Sequence, residues 1–454
     1  MPLSFSPGKA SDDVRRLRSC IIGGDEPAGN LAHQAVSALE MHLLQRGWLV
    51  GEPLGALADF QKSLGLGRPA CRQAITILKA RGLLDVRRGP GGGLFVAAPT
   101  AEDVAGAMLM YLSISGAAWE CIPEFRLLTW RMVTEAAIDG CVAIQAPAAT
   151  TSEWGFAVDL AERMGKPVMA LAAQIAEMLV RACEGRPAPA HDGLLDRALK
   201  TRDTRQALSR LEDLAAPMDL AAPSLALRGM ERSYTGSAPK SPMALADRMT
   251  WEMIHQTEKL EAEWETAERL GYSEVVVRQA RRILQNFGIA RCQRGRKGAL
   301  WGAPTSAAGV ISLLVPCLVT SGMTALDNVE VAKFLTCSAL RLLAERAAGR
   351  GPAQTRMLIS FPNRLELIDL VQSETQLIEL AGNPLLSIMT RSLGLANLPT
   401  AETGMTPQSR STILALNQRI FRAVETGDAD TTRLLVRAKE ELIHQSEPDY
   451  RRLA

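Results

Sequence analysis

Two arginines, Arg68 and Arg72, stand four residues apart at the start of a segment whose apolar spacing predicts a helix over Pro69 to Arg81. At that spacing they share one helix face. Arginines on the first turn of such a helix suit guanine edges and phosphates in a DNA major groove. Gln73 belongs to the same segment. The local charge agrees: Lys62, Arg68, Arg72, Lys79, Arg81, Arg87 and Arg88 face a single acid, Asp85. Arg88 and Gly89 open a glycine-rich turn between two short apolar runs, a hairpin pattern in which glycine lets backbone approach phosphate. A later stretch carries Ser273, Arg278, Gln279, Arg282, Arg294, Gly295 and Lys297 in the same arrangement, with Glu274 as its acid. No nucleophile with an adjacent base stands out. The glycine run lies in a hairpin rather than before a helix, so it is not a phosphate-cradling loop. The chemistry legible here is binding, not catalysis.

The elements that position these residues recur. Leu64-Gly65 returns as Leu270-Gly271, Arg72-Gln73-Ala74 as Arg278-Gln279-Ala280, and Arg88-Gly89 as Arg294-Gly295, all at an offset of 206. The offset falls to 205 where Ala98-Pro99-Thr100 pairs with Ala303-Pro304-Thr305. This self-similarity predicts a duplication. In each copy a first helix (Leu31 to Gln45; Leu245 to Thr257) precedes a short helix (Ala56 to Leu64; Ala262 to Leu270) and a glycine turn. The arginine-bearing helix follows (Pro69 to Arg81; Glu274 to Asn286), then two short strands around a turn. That order is a winged helix-turn-helix.

The residues resemble the GntR family of transcription regulators, in particular its FadR subfamily. The likeness rests on Gly51-Glu52-Pro53-Leu54, Leu64-Gly65-Leu66-Gly67-Arg68, Cys71-Arg72-Gln73-Ala74, Gly82-Leu83-Leu84 and Arg88 to Val96. In the second copy it rests on Leu270-Gly271-Tyr272-Ser273, Val277-Arg278-Gln279-Ala280 and Arg294 to Gly298. The resemblance implies a double-stranded DNA operator as partner. It assigns DNA contacts to Arg68, Arg72 and Gly89, and in the second copy to Arg278 and Gly295. Two positions depart from the family pattern: Gly67 stands where Ser or Thr is usual, and Glu274 stands where arginine is expected. An acid there repels phosphate.

Downstream of each winged helix the resemblance extends to an all-α effector domain of the FCD type. It is carried by Ile378 to Leu386, echoed by Leu160 to Val168, and by Ile420 to Ala429, echoed by Leu195 to Thr204. Family members hold a divalent metal there through an aspartate and three histidines. Spacing puts Glu374, Asn417 and Lys439 at the histidine positions, so no metal and no other cofactor is expected. In the first copy these positions fall near Ala157, Asp192 and Leu214. Glu374 and Lys439 either form an ion pair across the former pocket, bind a polar small-molecule effector without metal, or are solvated surface charges. Arg126 aligns with an effector-contacting arginine of the family, or is a plain surface arginine.

The fold expected is therefore mainly α: two winged helix-turn-helix domains, each with a small β-hairpin wing and each followed by a helical bundle. The boundaries read as an N-terminal arm (1–29), a first winged helix (30–100), a first helical domain (101–215), a linker (216–243), a second winged helix (244–305) and a second helical domain (306–447). The linker is rich in Pro, Ala, Ser and Gly, and a flexible chain of its length spans about 30 Å on average. The helical domains can then pair within one chain, giving a monomeric pseudo-dimer; a homodimer of whole chains is the other arrangement.

Bulk properties fit a helix-rich protein, with 47% apolar, 22% charged and 4% aromatic residues and a net charge of +2. The eight cysteines are scattered, without paired spacing, as in a reducing compartment. The most apolar stretch, Ala307 to Val319, is too short for a membrane span and contains Pro316. A cytoplasmic repressor is the function these features and the resemblance imply. The alternative is a ligand-sensing or protein-interaction scaffold whose DNA-binding heads have decayed.

Overall fold

The computed structural model describes residues 12–23, 31–55, 61–62, 67–87, 89, 92–117, 119–140, 155–184, 201–214, 242–255, 259–286, 288, 290–292, 299–302, 306–348, 367–398 and 407–446. The chain opens with α1 (Asp12–Ile22) and α2 (Leu31–Gln45). A first head then forms from β1 (Pro53–Gly55), α3 (Arg68–Ala80), β2 (Leu84–Arg87) and β3 (Gly93–Val96). The first helical region comprises α4 (Ala101–Ser115), α5 (Cys121–Asp139), α6 (Phe156–Arg163), α7 (Pro167–Glu184) and α8 (Thr204–Leu214).

A second head follows from α9 (Pro242–His255), β4 (Lys259–Leu260), α10 (Glu263–Leu270), α11 (Glu274–Asn286), β5 (Ala290–Cys292) and β6 (Leu300–Gly302). The second helical region is α12 (Ala308–Thr320), α13 (Ala325–Ala348), α14 (Leu367–Leu380), α15 (Pro384–Ala396), α16 (Pro407–Glu425) and α17 (Ala429–Ser446). The protein is mainly helical, and none of the described helices is long and apolar enough to cross a membrane.

Both heads are built on the same buried frame. In α3 the inward residues are Cys71, Ala74, Ile77 and Leu78; in α11 they are Val277, Ala280, Ile283 and Leu284, each 206 positions later. This i, i+3, i+6, i+7 spacing puts one apolar stripe on the core and leaves the rest of the helix to solvent. Pro69 sits in the first turn of α3, where its missing N–H costs nothing. Each head closes with a three-stranded antiparallel sheet, β1-β3-β2 in the first and β4-β6-β5 in the second. The sequence suggested a two-stranded wing alone. The third strand is two or three residues long, too short for an alternation pattern, and is recruited because β3 and β6 would otherwise leave an unpaired edge.

Two further expectations change. The arm before residue 29 is not loosely held throughout, since α1 buries Leu17, Ile21 and Ile22 against α14 and α15. The linker ends two residues early, because Pro242 and Met243 already belong to α9; residues 216–241 lie outside the described set, as does the short helix expected at 56–64 apart from Gln61 and Lys62.

The heads dock crosswise. The first head reaches the second helical region: α2 residues Met41 and Leu44 line a small cavity with Val315 and Pro316 of α12 and Leu395 of α15. α1 fastens this contact. Its Arg18 pairs with Glu40 of α2 at 2.5 Å, Glu40 also receives Arg81 from the end of α3 at 2.7 Å, and Arg391 of α15 donates to the Ile21 carbonyl at 2.6 Å. The second head rests on the first helical region instead, α9 packing on α4 with the Thr250 hydroxyl 4.0 Å from the Met110 sulfur.

Between them, α4 packs on α12, α5 on α13 and α15, and α7 on α13. Two helix N-termini are buried in this seam, and each takes a partner from the other region. Asp327 of α13 accepts the Val168 backbone N–H of α7 at 2.7 Å. Asn383 caps α15, its Oδ1 accepting from the N–H groups of Leu385 and Leu386, while its Nδ2 donates to Glu124 of α5 at 2.6 Å and to the Cys121 carbonyl at 3.1 Å. Arg346 of α13 adds an ion pair to Glu124 at 3.0 Å.

Removing either cap leaves buried N–H groups unsatisfied. Asp327→Ala and Asn383→Ala are each expected to lower unfolding free energy by about 1–2 kcal/mol, read as a lower urea midpoint at unchanged slope.

Candidate nucleic-acid interface

The interface candidate begins where α3 turns its polar face outward. Arg68, Arg72 and Lys79 are exposed, Gln73 is half-buried, and neither Arg68 nor Arg72 forms an ion pair with a described residue. Gly67 precedes them in an extended conformation (φ −64°, ψ 151°) and offers no side-chain cap, the consequence of lacking Ser or Thr there. The wing needs its glycines. Gly89 has φ +99°, and a Cβ on Gly92 would stand 2.4 Å from the Arg87 carbonyl oxygen. Beside it Arg87 lies over the Phe95 ring at 4.1 Å and pairs with Asp85 at 3.1 Å. Arg88 falls outside the described residues.

The second head has the same shape, but its Arg269 and Arg278 are paired with acids. Arg278, the counterpart of Arg72, donates to Glu263 at 2.8 Å and lies 3.8 Å from Glu274. Arg281 is buried and donates to the Glu261 carbonyl at 3.1 Å. Arg269 is held by Glu252 at 2.8 Å and Glu261 at 3.1 Å, and those hydrogen bonds, Glu252 first, raise its affinity for its proton. Ser273 is exposed and its hydroxyl oxygen accepts the Val276 N–H at 3.4 Å as a helix cap, which leaves its O–H available to donate. Gln279 and Arg282 are half-buried. Arg294, Gly295 and Lys297 lie outside the described residues.

The basic patch expected on this head is thus corrected in part. The acids of α9, α10 and the segment between them were passed over in the sequence because they sit 8 to 20 positions from their arginines; the folding of α9, α10 and α11 brings them together. Trp264 and Val275 stand exposed on the same head.

α3 and α11 also pack against each other. Half-sites one helical turn apart require recognition helices separated by about 34 Å. The heads as placed do not span that distance.

In the second helical region the three positions named from the sequence are all buried to some degree. Lys439 of α17 is 1% exposed and its Nζ donates to Glu374 of α14 at 2.8 Å. Of the readings left open, the ion pair is the one observed. Asn417 of α16 is 2% exposed and its Nδ2 has no hydrogen-bond partner. Among the described residues no three His, Cys, Asp or Glu side chains stand where they could hold a metal ion.

Arg126 is no surface arginine. It lies buried in α5, its guanidinium 4.1 Å over the Trp130 ring and its Nε donating at 3.0 Å to Glu177 of α7, which also accepts the Trp130 indole N–H at 2.7 Å. Burial pushes the Glu177 carboxyl above the usual range, and the Arg126 charge and hydrogen bond pull it back. Glu177 was missed. Its signal was one acid inside the apolar run Ile175 to Val180.

No family model matches the sequence, and no curated protein matches it. Among solved structures, a Streptococcus agalactiae GntR is similar over 45% of this chain and 99% of its own, at 19% identity and a TM-score of 0.33.

The buried pair gives a thermodynamic test. Glu374→Ala strands the Lys439 ammonium and is expected to cost about 2–3 kcal/mol, somewhat under the loss for a fully enclosed pair because the Glu374 side chain keeps 28% exposure. The double variant Glu374→Ala with Lys439→Met is expected to recover most of that loss in the same denaturation measurement.

Proposed function

We propose that this chain is a sequence-specific, double-stranded-DNA-binding transcription regulator of the cytoplasm, most simply a repressor, and that it has no enzymatic activity. The observation that carries the reading is α3, a helix with its apolar stripe buried, two arginines on its outward first turns free of acid partners, and a glycine wing beside it. Arginine with an unengaged planar fork is the side chain best suited to guanine and phosphate.

We further read the two heads and two helical regions as duplicated GntR-type modules of the FadR subfamily, forming an intramolecular pseudo-dimer. Support comes from the shared offset of 206 in the buried residues of α3 and α11, the repeated strand order, and the crossed caps at the seam. The first head is then the principal reader, through Arg68, Arg72, Gln73 and the wing. The second contributes shape and whatever contacts Arg282 and its own wing make. Glu374, Asn417 and Lys439 stand where metal ligands would be needed, and an effector bound there without metal would have to compete with the Glu374–Lys439 ion pair. The second head taken alone favours a different reading, a protein-interaction module that no longer reads DNA, because its recognition arginine is neutralised by Glu263 and Glu274.

The asymmetry can be measured. With a duplex selected from a random pool, Arg68→Ala and Arg72→Ala are each expected to weaken binding by about 1–3 kcal/mol, whereas Arg278→Ala changes it by less than about 0.5 kcal/mol. Titration by fluorescence anisotropy reads both. Equal losses at Arg72 and Arg278 contradict the unequal heads, and no salt-dependent retention on duplex DNA contradicts the regulator reading.

A further inference from the structure

A groove of about 600 Å³ runs along the seam, walled by α5 of the first helical region and by α13 and α17 of the second. It is separate from the Glu374–Lys439 pair and does not depend on the DNA-binding reading. Its size is that of a small-molecule site. Leu128, Met132, Phe334 and Leu342 give it an apolar side.

Its charged lining divides into two sets. Some charges are already engaged: Arg341 with Glu345 at 2.7 Å, Lys333 with Glu441 at 3.8 Å, and Glu124 with Arg346 and Asn383. Others are not, because Arg131, Glu135 and Asp139 of α5 and Arg437 of α17 line the groove without a direct ion pair to any described residue. Arg433 joins them with only a 4.0 Å contact to Asp430. These groups lie close enough to influence one another. Burial pushes the Glu135 carboxyl above the usual range; Arg131, Arg437 and Arg433 pull it back, and Asp139 pushes it up.

Free cations and free acids side by side narrow the class of ligand. A simple organic acid would find Arg131 and Arg437 but be repelled by Glu135 and Asp139, and a simple amine would meet the converse. A molecule carrying both charges satisfies both sets, and its apolar part covers the apolar wall. We propose that the seam groove binds a zwitterion with an apolar body, an apolar α-amino acid or short apolar peptide, its carboxylate held by Arg131 and Arg437 and its ammonium by Glu135 and Asp139. Because the walls come from both helical regions, such a ligand ties the two halves together and raises the unfolding temperature.

The test uses the full chain and four probes: L-leucine, the dipeptide leucyl-leucine, 4-methylpentanoate as the acid alone, and 3-methylbutylamine as the amine alone. Calorimetric titration and thermal unfolding are expected to show at least one zwitterion binding about tenfold or more tighter than either single-charge probe, with a rise in unfolding temperature. Arg437→Gln and Asp139→Asn lie at exposed positions and leave the fold intact by circular dichroism, and each is expected to weaken that binding by about tenfold. Binding of 4-methylpentanoate as tight as that of the zwitterions, binding unchanged in both variants, or no binding of either zwitterion at millimolar concentration overturns the proposal.

Discussion

The N-termini of α7 and α15 are buried at the seam, the first satisfied by an acceptor from the other half of the chain and the second by Asn383, whose own side chain the other half anchors. A helix start leaves N–H groups without intrahelical acceptors, and buried ones must find partners or cost about 1–3 kcal/mol each. Asp327 supplies the acceptor for α7 from α13, and Glu124 with the Cys121 carbonyl anchors Asn383, which caps α15. Each helical region is therefore completed by the other. That constraint brings α4 against α12, and those two helices are the platforms on which α9 and α2 rest. The crossed heads, the seam groove and the adjacency of α3 and α11 all follow from it.

One frame carries two different surfaces. The buried apolar positions of α3 and α11 correspond one for one, while the outward positions differ, Arg68 against Glu274 and Pro69 against Val275. Packing tolerates few changes at the core positions, whereas an exposed substitution alters stability little. The second head thus keeps the shape of the first while its exposed arginine is paired, Glu263 occupying the Arg278 guanidinium.

The local parts of this arrangement were legible in the sequence. Apolar spacing located α2, α3, α10 and α11 to within a residue or two. The segments around Gly382-Asn383 and Gly427-Asp428 entered through resemblance; in the structure each is a turn, and at the second Asp428 accepts the Thr431 N–H at 2.9 Å. In the segment echoed around Arg202-Asp203, Arg202 takes φ 55°, a conformation usually left to glycine. Contacts between distant segments were not legible. Val168 meets Asp327 across 159 positions and Asn383 meets Cys121 across 262, and no periodicity encodes such pairs. The same holds for Arg278 with Glu263, for Arg126 with Glu177, and for α1, whose three buried apolar residues acquire meaning when α14 and α15 are present to receive them.

The proposed function makes one chain a complete DNA-binding unit, with both heads and both helical regions joined through the seam. Light scattering of the purified complex with a selected duplex tests this most directly. One chain of 49.0 kDa per duplex is the result predicted; two chains per duplex, arranged on a palindrome, would contradict it.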